Sequence, residues 1–192
     1  MNKIFEEYFK TVFKPVLKKI KDRDLAKKTV KAWVMAAEEG GWKSPEDIEK
    51  IPFTLLTDTK GINLIEHTIA VTLGAEGLAN AQKNNYRTMP FEINYDFIYA
   101  GGLLHDVGKL MESEFVGGKY QKSYNGKCTR HPVSGAIVAA KAGLPLEIVH
   151  MIANHAKEGE GAPQRVETFL VHQADFATFD PMVMMSKGML IQ

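Results

Sequence analysis

A chain of 192 residues, 45% hydrophobic and 24% charged, lies in the ordinary globular range and is long enough to bury one core. Its formal charge of +1 gives no overall pull toward nucleic acid, and no run approaches the roughly 20 apolar residues of a membrane-spanning helix. The single cysteine, Cys128, excludes an internal disulfide, and without a secretory pattern near the N-terminus a reducing cytoplasm is the expected compartment.

The first 31 residues hold ten Lys or Arg against four acids, which reads as a solvated helix face. Ile4, Phe5, Tyr8, Phe9, Val12, Phe13, Val16, Leu17 and Ile20 recur at helical spacing, and Pro15 predicts a kink or split. A second helix, marked by Leu25, Val30, Trp33, Val34 and Ala37, is expected to stop at Gly40-Gly41. Ser44 and Pro45 signal another start, with Asp47 three residues past the cap. Residues 62–82 read as one long helix with Leu64, His67, Val71 and Leu78 on its buried face. The run 95–110 is apolar on nearly every side, so a central helix is predicted there. Glycines and cations between Phe115 and Arg130 predict a loop or short hairpin, and three further helices follow. Strand-like alternation is scarce. The expected fold is all-α: an N-terminal helical extension over residues 1–55 and a helical bundle over residues 56–192.

Polar residues interrupt these apolar faces at particular places. His67 lies on a core face, His105 and Asp106 end the central run, His131 opens one helix, His155 closes another, and Asp175 sits in the last. Each position is expensive for an unpaired polar group, and a shared metal compensates them together. Imidazole and carboxylate donors without cysteine suit Fe, Mn, Co, Ni or Zn better than Mg or Ca, and argue against a closed structural zinc.

The order H…HD…H…H…D, with "GINLIEHTIAV", "LLHDVGK", "HPVSGA" and "ADFATFD", resembles the HD superfamily of metal-dependent phosphohydrolases over roughly Gly61–Phe179. The resemblance implies an HD-domain helical bundle. It also implies His67, His105, Asp106 and Asp175 as ligands of a first divalent transition metal, with His131 and His155 adding a second and Asp106 bridging them. The implied activity is hydrolysis of a nucleotide or other small phosphate ester by a metal-activated hydroxide; nucleic acid and membrane are not expected partners.

Asp106 and Lys109 are the expected catalytic residues, Lys109 falling on the side of His105 if the helix continues. The substrate-binding candidates are Lys109, Lys119, Lys122, Lys127 and Arg130, because Phe115–Arg130 contains no acid, and His172, one turn before Asp175. His150 is expected to be partly exposed or to support its neighbours. Glu66 and Asp96 read as solvated acids or supports for the ligands. Asn154 stands where some dinuclear relatives have another histidine, and "GEGAP" lacks the tyrosine of the GYP signature, both departures from the cyclic-dinucleotide branch. Two alternatives remain open: a mixed-valent di-iron oxygenase on the same ligands, and a regulatory domain whose N-terminal helices dock a partner or form a homodimer.

Overall fold

The structure is a computed structural model that describes residues 2–191; Met1 and Gln192, the outer ends of the expected two-part division, lie outside the described residues. Among the described residues it is a helical assembly with one two-stranded sheet. The N-terminal pattern forms α1 (Lys3–Val12) and α2 (Lys14–Leu17), split where Pro15 enters the first turn of α2. Helix α3 (Arg23–Glu39) is capped by the Asp22 side chain, which accepts from the Asp24 and Leu25 amides, and it stops at Gly40 as expected. Helix α4 (Pro45–Glu49) starts at Ser44, whose hydroxyl accepts from the Asp47 amide.

Helix α5 (Leu64–Asn85) begins in a capping box, Asn63 and Glu66 each accepting from the other's backbone amide. Glu66 is therefore an exposed cap and not a support for the ligands. Its neighbours Leu64, His67 and Val71 are buried as predicted, but Leu78 is 39% exposed. The buried stripe advances in fours through Val71, Ala75 and Ala79, and so rotates past position 78.

Helix α6 (Tyr95–Leu104) is buried from Ile98 onward. It is followed by a short α7 (Lys109–Glu112), then strands β1 (Ser113–Val116) and β2 (Lys119–Lys122) in antiparallel register. Gly117 and Gly118, both at positive φ, make the tight turn between them. Helices α8 (Tyr124–Cys128), α9 (His131–Ala142), α10 (Leu146–Asn154) and α11 (Val166–Ser186) complete the chain, the last running past Pro181 and beyond the predicted end.

One apolar cluster joins α1, α2 and α3 to α6, α9 and α10. At its centre Phe9, Phe13 and Trp33 pack ring against ring, and the Trp33 indole N–H donates to the Leu103 carbonyl at 2.8 Å. The Asp96 carboxylate accepts from the Lys21 and Asp22 amides, so it ties the first turn of α6 to the α2–α3 junction. A second cluster joins α5, α6, α10 and α11 through Val71, Ile98, Met151 and Val171. The titratable centre lies where these layers meet. No helix among the described residues is long and apolar enough to cross a membrane.

Candidate metal centre

After Leu104 the backbone tightens to i→i+3 bonds: the Val107 amide donates to the Leu104 carbonyl and the Lys109 amide to the Asp106 carbonyl. At three residues per turn, side chains three apart eclipse. Lys109 therefore stands over Asp106 and not over His105, its Nζ 2.7 Å from Asp106 Oδ2, where it also donates to the Phe53 carbonyl. Gly108 makes the turn possible in another way. A Cβ there would meet the His131 carbonyl oxygen at 2.1 Å, so only glycine lets the start of α9 come this close to the Asp106 turn.

The tight turn aims His105 and Asp106 inward, 0% and 1% exposed. His67 arrives from the first turn of α5, His131 from the first residue of α9, His155 from the end of α10, and Asp175 from the middle of α11. All six expected ligands thus meet in one place. Their donor atoms fall into two groups, His67 with His105 and Asp175, and Asp106 with His131 and His155, each within 4.8 Å.

Asp106 connects the groups through its two oxygens. Oδ2 lies 3.5 Å from His67 Nε2 and 3.3 Å from His105 Nε2. Oδ1 lies 3.2 Å from His131 Nε2 and 3.7 Å from His155 Nε2. Asp175 Oδ1 stands 3.1 Å from His67 Nε2 and 3.9 Å from His105 Nε2. Donors about 2.1 Å from an ion are separated from one another by roughly 3.0 to 3.4 Å in octahedral or tetrahedral arrangements, so these spacings fit a metal on each side of the carboxylate.

The histidines are oriented for that task. The Nδ1–H groups of His105 and His155 donate to the Gly102 and Ile152 carbonyls at 2.7 and 2.8 Å, and that of His131 donates to Glu112 Oε2 at 2.9 Å. Each such bond turns Nε2 toward the centre with its lone pair free. Among the described residues, Nε2 of His105, Nε2 of His155 and Asp106 Oδ1 are buried without a hydrogen-bond partner, while Asp106 Oδ2 is paired to the Lys109 ammonium. Three orphaned polar atoms aimed at one point are what a metal would satisfy.

The electrostatics agree. Burial opposes ionisation of Asp106, yet Lys109 and His105 hold its carboxyl well below the usual range. Burial likewise opposes Asp175, which His67 and His105 bring down to about 2. Burial lowers His67 and His131, favouring neutral imidazole, the form that binds a cation, whereas at His105 burial is outweighed by the Asp106 carboxylate, which raises it.

A cavity of about 370 Å³ opens onto this centre. Lys109, Lys122, Arg130 and Lys157 stand on its wall, while Phe53, Phe176, Phe179, Leu55 and Leu56 supply an apolar side. Lys119 and Lys127 do not line it. Lys119 pairs with Val116 beside the hairpin turn, the far end of the ladder, and Lys127 is exposed in the last turn of α8. His172 is also outside the lining; its Nδ1–H donates to the His155 carbonyl at 2.7 Å, so it braces the turn that carries His155. His150 is half-buried, and its carbonyl accepts from the Asn154 side-chain Nδ2 at 2.8 Å.

Residues 64–177 match the HD domain family. The chain belongs to that family. This HD domain is 32% identical over 120 residues to dihydroneopterin 2′,3′-cyclic phosphate phosphodiesterase of Methanocaldococcus jannaschii, covering 59% of this chain and 45% of the relative. It is 29% identical over 170 residues to ribonuclease Y of Thermotoga petrophila, covering 88% of this chain and 28% of that one. The chain therefore spans less than half the length of either relative. No solved structure gives a significant match.

Two features of the HD centre are not apparent in the sequence. Glu112 holds His131 through one oxygen and lies 3.2 Å from Lys122 through the other. Phe53 stacks on the His67 ring at 4.4 Å between centroids, although it precedes the family match by eleven residues. Helical spacing did offer one clue to the cavity wall, since Phe179 lies four residues after Asp175 and so on the same side of the helix.

Proposed function

We propose that this HD domain is a metal-dependent phosphodiesterase acting on a nucleotide-sized phosphate ester. The observation that carries the reading is Asp106, whose two oxygens each face a pair of histidines across a buried centre where the His105 and His155 Nε2 atoms have no hydrogen-bond partner. His67, His105 and Asp175 would hold one divalent transition metal, His131 and His155 a second, with Asp106 between them. Bound there, the ions would supply an activated water and polarise the phosphoryl oxygens.

The chain's own groups perform the rest. Lys109 is held at the carboxylate by Asp106 and the Phe53 carbonyl, so its ammonium faces the cavity at a fixed position, ready for charge that develops on a phosphoryl group. Arg130 and Lys122 stand farther out, paired to Glu158 and Glu112, and guide an anionic group inward. The wall of Phe53, Phe176 and Phe179 offers a planar organic moiety a dry surface. A cavity of about 370 Å³ matches a mononucleotide and not a folded polymer. The names of the two relatives, one acting on a cyclic phosphate and one a ribonuclease, support phosphodiester chemistry as the class. We also retain residues 56–192 as the unit that carries the centre and residues 1–55 as its helical extension.

Bis-p-nitrophenyl phosphate tests the reaction class. Metal-loaded protein is expected to release p-nitrophenol under anaerobic conditions, and Asp106→Ala is expected to abolish release. Oxygen uptake driven by a substrate, without phosphate ester cleavage, would overturn the hydrolase in favour of an oxygenase.

A further inference from the structure

A second concavity, of about 840 Å³, lies between α1–α2 and α3 and shares no residue with the metal cavity. Lys10, Lys14 and Lys18 run along one bank at four-residue intervals, and Arg23, Lys27 and Lys31 run along the other at the same interval. The α3 bank is thus a straight row of cations about 12 Å long, and the facing bank steps across the split between α1 and α2. Like charges at i, i+4 destabilise a helix, so two such rows facing one another carry an energetic cost unless an anion lies between them.

Internal acids relieve it only at the ends: Glu6 and Asp24 also line the groove, but Glu6, with Glu7, pairs with Lys10, and Asp24 pairs with Lys28. Among the described residues no carboxylate comes within ion-pair distance of Lys14, Lys18, Arg23, Lys27 or Lys31. Lys31 and Arg23 spend their hydrogen bonds on the Ala142 and Ile20 carbonyls. The near-neutral charge of the chain hides this concentration, because the balancing acids lie elsewhere.

We propose that this groove binds the sugar-phosphate backbone of a single-stranded nucleic acid. The occupant is extended and polyanionic because the cations form rows and not a single cup. A flexible single strand can bring successive phosphates to both rows. Among the described residues the lining holds no aromatic ring, and its floor is Leu17, Ala26, Val30 and Ala142. Bases therefore have no stacking platform, and recognition runs through phosphates without sequence preference. Ala142 ends α9 and His131 begins it, which places the groove about 16 Å from the metal centre, a separate site and not an extension of the cavity.

Fluorescence anisotropy with fluorescein-labelled dT12 in EDTA tests this on the full chain. Wild type is expected to bind at 50 mM NaCl and to lose roughly 50-fold in affinity at 200 mM, the salt response of about four neutralised phosphates on a single strand. Lys14→Glu with Lys27→Glu is expected to weaken binding at least tenfold and to leave turnover of bis-p-nitrophenyl phosphate by the metal-loaded protein unchanged. The neutral pair Lys14→Gln with Lys27→Gln is expected to fall between, with an unaltered melting temperature as the check on folding. Absence of binding at 50 mM NaCl, equal binding by wild type and both variants, or binding to phosphatidylserine vesicles but not to dT12 would each overturn the proposal.

Discussion

Asp106 concentrates more of the chemistry than any other residue, and its surroundings explain why a carboxylate survives burial there. Five groups face it: His67 and His105 on one oxygen, His131 and His155 on the other, and Lys109 over the first. Asp106→Asn keeps the shape and removes the charge, so it is expected to lose both activity and bound metal while remaining folded by circular dichroism. Glu112 acts one step away. Glu112→Gln retains an acceptor for the His131 N–H but removes the charge that raises imidazole basicity, and a loss of 10- to 100-fold in affinity at the second metal position is expected by competition with a chelator. The reading of His67, His105, Asp106, His131, His155 and Asp175 from the sequence rested on the cost of polar groups on apolar faces, taken together, and on the resemblance of the spaced set to the HD superfamily. Glu112 carries no such signal. Its role arises only when the hairpin pairs Ser113 with Lys122 and brings that lysine beside it. The same register explains why Lys122 reaches the cavity and Lys119 does not.

Among the elements, the turn after α6 is the most tightly specified. Gly108→Ala would drive a methyl into the His131 carbonyl, and backbone cannot yield as a side-chain tip does. A destabilisation of about 1–3 kcal/mol is expected from urea titration, together with weaker metal binding because His131 moves with the α9 start. The helices themselves were legible from apolar periodicity and caps. The tightening at 105–108 was not, because a switch from four-residue to three-residue bonding leaves no mark in the hydrophobic pattern.

The turn after α2 meets α5 and α6 through Lys19, Glu76 and Tyr99: Glu76 accepts from Lys19 at 2.5 Å and from the Tyr99 hydroxyl at 2.7 Å. Burial opposes ionisation of Glu76, but the two donors hold its carboxyl below the ordinary 4.5. A group lowered on folding stabilises the protein above its unfolded pKa, and that contribution fades as pH falls through the lowered value. The stability gap between wild type and Glu76→Gln is therefore expected to be about 0.5–1 kcal/mol at pH 7 and to narrow as pH falls below 4.5, measured by urea midpoints.

At the scale of the whole molecule, the first 40 residues are not an independent appendage in the packing. Phe5, Phe9, Phe13 and Trp33 share one buried cluster with Leu103, Leu104 and Val107, the residues flanking His105 and Asp106. Trp33→Ala is expected to cost about 3–5 kcal/mol, read as a lower midpoint of global unfolding and not as release of the N-terminal helices alone. The segment Pro52–Leu56 extends this dependence to the site, since it walls the cavity and places Phe53 on His67. Sequence periodicity identified these N-terminal helices without indicating their partner. Long-range contact between Trp33 and Leu103 is a property of topology, and neither segment's pattern encodes the other's position.

Metal content by elemental analysis tests the central claim, a two-metal centre organised on Asp106. Protein purified without added metal and then loaded with Mn is expected to hold about two ions per chain. His131→Ala and His155→Ala are each expected to keep about one, and Asp106→Ala none. A single ion in the wild type with the same stoichiometry in His131→Ala and His155→Ala would contradict the claim, as would full metal content in Asp106→Ala.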